Sequence, residues 1–335
     1  MALTYKLFPA PVPDFAAAEL ERLYQSIYCT LLRLETYEQS SDWLTFAILD
    51  DEVVVAVILF KRRGRTISML NEQITLDAAY VKFFVDSIFE LYSDAGRVAL
   101  YAVDTAGEKI GRLFGRFLCV KENVVSLGQT DEEFAATLTA SVRSGLRSRH
   151  RKLQKDFPNF SYDFYNCENF SEDDVEAIVR LSAKRMNVKG KDAYIDGDAL
   201  EKIIVVLRKY GLVGVARIDG EVCGGTLCYA VGRRYFFHVI SHHPNYDRFG
   251  LGNLLNYLTF LYCVEMKIDE CWMMGGGERH KAQFGARPLE FFGFDFYRSR
   301  RYFPFLIYDR AVRVSNFMAK KILQRFGIGA RFLHG

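Results

Sequence analysis

The sequence predicts an α/β fold in two domains that repeat one order of elements, and three observations lead to this prediction. The chain has 335 residues, whereas a single core rarely grows beyond about 250. Half of the residues are hydrophobic and 15% are aromatic, which is enough apolar surface for two cores. The third observation is an internal repeat, in which AILDDEVVVAVILF at 47–60 resembles ARIDGEVCGGTLCY at 216–229.

Each copy of the repeat predicts a β-hairpin followed by a strand, a helix and a further strand. In both copies an apolar run meets an Asp-Asp or Asp-Gly turn and then a second apolar run, as in a hairpin. Strands at 66–70 and 235–241 follow. Apolar residues at helical spacing indicate the helices, namely Tyr80, Phe84, Ile88 and Leu91 in the first copy and Leu251, Leu254, Leu258, Leu261 and Tyr262 in the second. Strands at 98–103 and 270–274 close the two copies. Chance similarity between α/β segments is the alternative to a duplication.

The segments outside the repeat predict three further helices. A basic helix lies between the copies, within 138–157, and we expect Pro158 to end it. A helix from Ser171, acidic in its first turn, opens the second domain. A basic amphipathic helix occupies 309–326. The predicted domains are therefore 1–137 and 161–308, separated by a linker helix at 138–160 and followed by a C-terminal helical segment at 309–335.

The composition favours a cytoplasmic protein without a structural metal. The formal net charge of +3 results from 44 basic and 41 acidic residues, so we expect no global attraction to nucleic acid and no DNA partner. No apolar run reaches the roughly 18 residues that span a bilayer, and the N-terminus lacks a signal-like apolar core. The seven cysteines never occur as CxxC, which favours reduced core residues. His238 and His242 share a strand face, but no carboxylate or cysteine pattern accompanies them, so we predict no metal site.

A glycine pair marks the most informative segment, SHHPNYDRFGLGNLL at 241–255. A strand there gives way to a short loop, and Gly250 and Gly252 open the next helix. The first amides of a helix lack internal partners and carry the positive end of the helix dipole. Because glycine has no side chain, an anion can approach those amides closely. The segment therefore predicts a phosphate-binding turn, with a structural glycine turn as the alternative.

The stretch from Val239 to Gly252 resembles the GNAT family of N-acetyltransferases, in which a strand and a proline-containing turn precede Q/R-x-x-G-x-G/A at the start of the central helix. Asp247 stands where the family has Gln or Arg, and Arg248 follows one position later. Further on, MMGGGERHKAQFG at 273–285 resembles the tandem-GNAT branch that is BioF2-like and FemAB-like. In this segment Lys281 stands at the lysine position of that branch and His280 replaces its tyrosine. A purely structural loop is the alternative for the triple glycine.

This resemblance implies a tandem GNAT fold, with two mixed, mostly antiparallel sheets flanked by helices. It also implies that the second domain binds acetyl-CoA or another acyl-CoA as a co-substrate. The implied donor-binding residues are Val239, Ile240, Ser241, Arg248, Phe249, Gly250, Leu251, Gly252, Asn253 and Gly275. The first copy has LDAAYVKF at 76–83, without glycine, at the equivalent place. We therefore expect the first domain to be degenerate and not to bind coenzyme A.

The reaction that the resemblance implies is direct transfer of the acyl group to a primary amine, such as an amino sugar, an amino acid or a cell-envelope precursor. A backbone N–H near Ile240 would polarise the thioester carbonyl. The candidates for proton transfer are His280 and His242, with Glu278 as a base if burial raises its pKa. Lys281 would hold an anionic group of a substrate. A bond from His280 to the backbone of its own loop is the alternative to a catalytic role.

Two other functions stay open. A FemAB-like aminoacyl-tRNA-dependent transferase would use the basic helix, which carries Arg143, Arg147, Arg149, Arg151, Lys152 and Lys155. A non-catalytic binding or scaffold protein would explain Asp247 and the missing tyrosine as decay of the site. The basic helices could also contact a phosphate of coenzyme A or the inner face of a membrane, with a solvated face as the default.

Overall fold

A computed structural model describes residues 3–38, 42–105, 114–188, 195, 197–275, 278–299 and 301 of the protein. The strands in these ranges are β1 Thr4–Phe8, β2 Leu44–Asp50, β3 Val53–Arg63, β4 Thr66–Met69, β5 Ile74–Thr75, β6 Arg97–Asp104, β7 Phe114–Ser126, β8 Ser161–Asn166, β9 Gly211–Ile218, β10 Glu221–Val231, β11 Arg234–His242, β12 Glu270–Trp272 and β13 Arg287–Tyr297. The α-helices are α1 Asp14–Tyr24, α2 Leu31–Tyr37, α3 Ala78–Leu91, α4 Asp131–Thr137, α5 Ala140–Asp156, α6 Glu172–Val188, α7 Gly197–Tyr210, α8 Leu251–Glu265 and α9 Glu278–Ala282. Short 3-10 turns occur at Ile27–Cys29 and Pro244–Phe249. None of the helices in these ranges is long and apolar enough to cross a membrane.

The chain divides into two compact units. Unit 1 comprises the described residues of Met1–Lys121 and Glu290–Phe326, and unit 2 comprises those of Glu122–Leu289. Both boundaries fall inside strands, β7 and β13, so they are offset from the predicted domains 1–137, 138–160 and 161–308. The predicted C-terminal helix at 309–335 lies outside the described residues.

Unit 1 has a mixed sheet with the strand order β1-β2-β3-β4-β6-β13. On this path only β4 and β6 are parallel, among the described strands, and helix α3 makes the crossover that parallel neighbours require. The other neighbours are antiparallel. The core packs aromatic rings edge to face, with the Phe84 ring 5.2 Å from that of Phe46 and 5.8 Å from that of Phe60.

Unit 2 repeats this plan with the strand order β7-β12-β11-β10-β9-β8. Here β11 and β12 form the parallel pair, joined by the crossover helix α8, and the other neighbours are antiparallel. In the core, the Phe260 ring lies 5.4 Å from the rings of both Phe134 and Phe284. Each unit thus has a mixed, mostly antiparallel sheet flanked by helices, which confirms the predicted fold class.

The turn chemistry that predicted the hairpins has the expected backbone geometry. Asp51 and Glu52 have φ values of 46° and 67°, and Asp219 and Gly220 have φ values of 51° and 84°. Positive φ at both central residues matches the right-handed twist of the flanking strands. The two hairpins are β2–β3 and β9–β10, so the structure contains the repeated hairpin that the sequence predicts.

The basic helix predicted between the copies is α5. The Thr139 hydroxyl caps it by accepting the Val142 N–H at 3.3 Å, as Thr commonly does at this position. The helix ends at Asp156, two residues before Pro158, because proline restricts the conformation of the residue that precedes it.

Candidate active site

Unit 2 contains a cleft of about 690 Å³, a volume typical of small-molecule sites. Its walls are the C-terminal half of β11, the start of α8, the segment after β12, the end of α6 and helix α9. Of the residues predicted to form the site, the cleft brings together Val239, Ile240, His242, Gly250, Gly252, Asn253, Gly275, His280 and Lys281.

The cleft opens where two parallel strands diverge. β11 and β12 pair over only three positions, the last of which is Phe236 opposite Trp272. β11 continues to His242, whereas β12 ends at Trp272 and not at 274 as predicted. The next residue, Met273, donates its N–H to the Asn123 carbonyl of β7 at 2.8 Å. The chain after β12 therefore leans toward β7, and a gap opens beside the second half of β11.

A β-bulge lies on the wall of this gap. Leu227 pairs with Val239 and Cys228 pairs with Phe237, so His238 is an extra residue on β11. Bulges redirect side chains and are frequent next to active sites. The His238 ring lies 5.3 Å from the Tyr229 ring. Among the described residues, no group of three or more His, Cys, Asp and Glu side chains could hold a metal ion.

Gly250 lies at the junction of the Pro244–Phe249 turn and α8. Its φ of +61° places it in the left-handed region, where glycine has no steric penalty. A Cβ atom there would lie 3.1 Å from Nη1 of Arg149 on helix α5. The helix start is therefore open at its first amides, with a guanidinium beside it, as an anion site requires.

The equivalent helix of unit 1 has a different start. Asp77 caps α3, and its Oδ1 accepts the Ala79 N–H at 2.7 Å. A carboxylate of the protein itself therefore occupies the position where an anion would bind. This cap supplies a physical reason for the prediction that the first domain does not bind coenzyme A.

A neighbouring side chain in the same unit explains why position 252 is a glycine. A Cβ atom at this position would lie 2.9 Å from Cε1 and 3.1 Å from Nδ1 of the His242 ring. The ring is buried and packs directly on the first turn of α8. The sequence assigned Gly252 to close approach of a pyrophosphate, whereas the observed contact is with an imidazole.

We expect Gly252→Ala to lower the free energy of unfolding by about 1 to 3 kcal/mol, because the added methyl overlaps the buried ring. Gly145→Ala is the matched control, since Gly145 also lies inside a helix of unit 2 and the described atoms leave open space around it. That control should gain roughly 0.5 to 1 kcal/mol from helix propensity. Urea denaturation followed by circular dichroism measures both, and equal gains in the two variants would contradict the packing explanation.

His242 connects three elements through both ring nitrogens. Nε2 lies 2.7 Å from Oδ1 of Asp247, and Nδ1 lies 3.4 Å from Nη1 of Arg185 on α6. Asp247, which departs from the family pattern, therefore bonds to a histidine of the site. Because both nitrogens have protein partners, this geometry favours a positioning role for His242 over proton transfer.

His280 lies on the opposite wall, in helix α9, and is exposed to solvent. Its Nδ1 lies 3.5 Å from Nε2 of Gln283, which also bonds to Oδ1 of Asn253 at 3.2 Å. This chain links the start of α8 to α9 and orients the imidazole. The side chain of Glu278 lies outside the described part of the chain, so its role as a base stays a prediction.

Lys281 supports the backbone at the edge of the cleft. Its Nζ donates to the carbonyl oxygens of Met273 at 2.6 Å, Met274 at 2.8 Å and Gly275 at 3.2 Å. The Asn123 amide donates to the Met274 carbonyl as well, at 2.9 Å. Met274 has a φ of +65°, a conformation that a side chain disfavours and that surrounding contacts must hold in place. The role that the sequence suggested for Lys281, binding an anionic substrate group, stays a prediction.

Glu122 is a further charged residue near this edge of the cleft, and no sequence pattern predicted its role. The residue is buried, and burial raises its pKa to about 7, against the opposing effects of the Lys281 ammonium and of the Asn123 and Met274 amides. Burial also lowers the pKa of Lys281, against the opposing effect of Glu122. Glu122 stands in the apolar run FLCVKENVVSL, where a lone acidic residue gives no signal of its partner.

The remaining predicted donor-binding residues have side chains that do not line the cleft. Ser241 and Leu251 are fully buried, and Phe249 packs in the core with Phe157 at 5.7 Å. Arg248 is exposed at the surface and lies over the Phe249 ring at 4.7 Å. Only the backbone of the three buried residues could therefore contact a ligand in the cleft, and the donor-binding role of Arg248 stays a prediction. Among the cleft residues that the sequence missed are Ser182, Arg185, Met186 and Asn256, which all stand at helix positions without a motif.

Comparison with known proteins finds a similar domain family and similar folds. The model of the acetyltransferase (GNAT) domain matches residues 140–282, which contain the cleft. The crystal structure of FemX is similar over 89% of this chain and 99% of its own, at 9% identity and a TM-score of 0.63. A conserved protein of unknown function from Bacteroides thetaiotaomicron VPI-5482 is similar over 88% of this chain and 100% of its own, at 11% identity and a TM-score of 0.56. No curated protein matches the sequence. Residues 140–282 therefore match a GNAT acetyltransferase domain, and the chain has a fold similar to that of FemX.

Proposed function

We propose that this protein transfers an acyl group from an acyl-coenzyme A directly to a primary amine, with the unit 2 cleft as the donor site. The observation that carries the proposal is the juxtaposition of the open, glycine-led start of α8 with the gap between β11 and β12. The phosphates of an acyl-coenzyme A fit the start of α8, and its extended pantetheine arm fits the gap between the two strands. Among the described side chains, the cleft is lined by the cations of Arg185 and Lys281 and by one carboxylate, that of Asp247, which favours a negatively charged donor.

Within this proposal the donor phosphates bind the α8 start beside Arg149, and the thioester lies near Ile240. A backbone N–H of β11 then stabilises the oxyanion that forms on the thioester carbonyl. The amine nitrogen bonds to the carbonyl carbon, and the carbon–sulfur bond breaks. His280 takes the proton that leaves the amine and returns it to the coenzyme A thiolate.

Direct transfer is favoured over an acyl-enzyme on cysteine. In the described part of the chain, no cysteine lines the cleft. Burial raises the pKa of Cys223 to about 12 and also raises the pKa of Cys228 and Cys263. A thiol with a raised pKa is a poor nucleophile near neutral pH.

A thermal melt with and without acetyl-coenzyme A tests the proposal. Ligand at about 100 times its dissociation constant should add about 2.7 kcal/mol of stability. We expect Gly250→Glu to abolish this gain, because it places a carboxylate and a strained backbone at the anion site. Longer acyl chains in the same assay would define the donor.

Gly220→Glu is the matched control for this experiment. Gly220 has a φ of +84° in the turn between β9 and β10, and the described atoms leave open space around it. The substitution therefore imposes comparable backbone strain away from the cleft, and the gain from ligand should persist. A gain that survives Gly250→Glu would place the donor elsewhere, and no gain with any acyl-coenzyme A would contradict the proposal.

One observation favours a second candidate, transfer from an aminoacyl-tRNA. The exposed face of α5 carries Arg147, Arg149, Arg151, Lys152 and Lys155. No carboxylate lies within 4.0 Å of these five cations in the part of the chain that the structure describes. A polyanion would release counterions there, so tRNA binding should weaken steeply with salt. A gel shift that shows this dependence, together with no response to acyl-coenzyme A, would favour the second candidate.

A further inference from the structure

Asn256 is a cleft residue with an unsatisfied polar atom. It lies on α8, its exposed fraction is 4%, and it lines the cleft. Its Oδ1 has no hydrogen-bond partner among the described residues. A buried carbonyl without a partner destabilises the fold, and such groups in a folded protein usually have a reason.

The position of Asn256 on α8 places its carboxamide beside the path that the acyl donor is proposed to take through the cleft. Asn256 follows Gly252 by four residues, so both lie on the face of α8 that is turned toward the cleft. The helical rise of 1.5 Å per residue places it about 8 Å beyond the helix start. Because Gly250, Ile240 and Asn256 all line the same cleft, an arm that runs from the anion site into the gap comes within reach of this side chain.

The chemistry of a carboxamide indicates what it would bind. It offers an acceptor oxygen and a donor NH2 group, and a half-turn about its terminal torsion exchanges the two, so either can face a ligand. A secondary amide of a ligand offers the complementary N–H and carbonyl. The pantetheine arm of an acyl-coenzyme A contains two such amides between its phosphates and its sulfur.

We propose that Asn256 is a donor-binding residue whose carboxamide hydrogen-bonds an amide of the pantetheine arm, an inference that rests on the proposed function. The unliganded protein then tolerates the unpartnered oxygen because the donor satisfies it. Affinity for coenzyme A and stability of the free protein should therefore respond to Asn256 in opposite directions.

The test is the variant Asn256→Leu, which has nearly the same shape without polar atoms. We expect the dissociation constant for coenzyme A, measured by calorimetry, to rise about 10-fold. The dissociation constant for adenosine 3′,5′-bisphosphate, which lacks the arm, should stay unchanged. The melting temperature of the free variant should stay equal or rise by roughly 2 to 4 °C, whereas a structural role predicts a fall.

If Asn256→Leu does not fold, Asn256→Ala takes its place in the test, because the smaller alanine side chain cannot overpack the site. Unchanged affinity for coenzyme A in either folded variant would overturn the inference. Equal losses for coenzyme A and the bisphosphate, or a lower melting temperature, would assign Asn256 a structural role and overturn it as well. A wild-type protein that binds neither ligand would instead refute the proposed function itself.

Discussion

Replacing Lys281 with Met is expected to lower the free energy of unfolding by about 2 to 4 kcal/mol at pH 8. The change removes the ammonium that bonds three carbonyl oxygens, and with it the positive charge that favours the ionised form of the buried Glu122. A hydrogen bond to a charged group contributes about 1.5 to 3 kcal/mol, and solvent screening of the half-buried Lys281 reduces the sum of its three bonds. Urea denaturation followed by circular dichroism measures the loss.

The matched control is Lys184→Met, at an exposed position of α6 in the same unit. A surface change of this kind should stay within about 0.5 kcal/mol. Adding Glu122→Gln to Lys281→Met should recover part of the loss, because the second change removes the unpaired charge. A loss no larger than that of the control would show that Lys281 does not support the edge of the cleft.

The second large effect is a pH dependence that Glu122 confers. Its pKa rises from 4.5 to about 7 on folding, so between these values the folded state binds more protons than the unfolded state. Stability must therefore fall as pH rises through this window. The size of the shift corresponds to about 3 kcal/mol. The lowered pKa of Lys281 acts on the alkaline side and in the opposite sense.

Glu122→Gln isolates this contribution from those of the other carboxyl groups. The difference in unfolding free energy between wild type and variant should change by about 3 kcal/mol from pH 4.5 to pH 7.5. Glu290→Gln is the control, since Glu290 is exposed and pairs with Lys121 at 2.7 Å at the surface of unit 1. Its difference from wild type should stay nearly flat. A flat difference for Glu122→Gln would show that this carboxyl is ionised throughout the range.

These two predictions matter for function because Lys281 holds one wall of the cleft and Glu122 interacts electrostatically with it. Met273 and Met274 line the cleft, and their carbonyl oxygens accept from Lys281. Protonation of Glu122 or loss of Lys281 would therefore act on the backbone beside which the acyl donor is proposed to lie. Donor affinity measured across the same pH range would show whether this wall contributes to binding.

The sequence by itself determined the repeated plan of the fold and the place of the cleft. The hairpin turns at Asp51 and Asp219, the apolar spacing of α8 and the glycine turn at Gly250 are all local signals. Each depends on the conformation of a few consecutive residues or on one periodicity. Such signals are readable because the backbone preferences that cause them act over a single turn or strand.

The tertiary structure alone decided which side chains meet at the site. The Lys281 ammonium acts on the pKa of Glu122, and His242 packs on Gly252 and bonds to Arg185. Asn256 lines the cleft with an Oδ1 atom that has no hydrogen-bond partner among the described residues. These contacts join residues far apart in the chain. Burial, which raises the pKa of Glu122 and makes an unpaired amide costly, depends on how the elements pack. No periodicity or motif encodes that packing, so the roles of these residues emerge only from the folded unit.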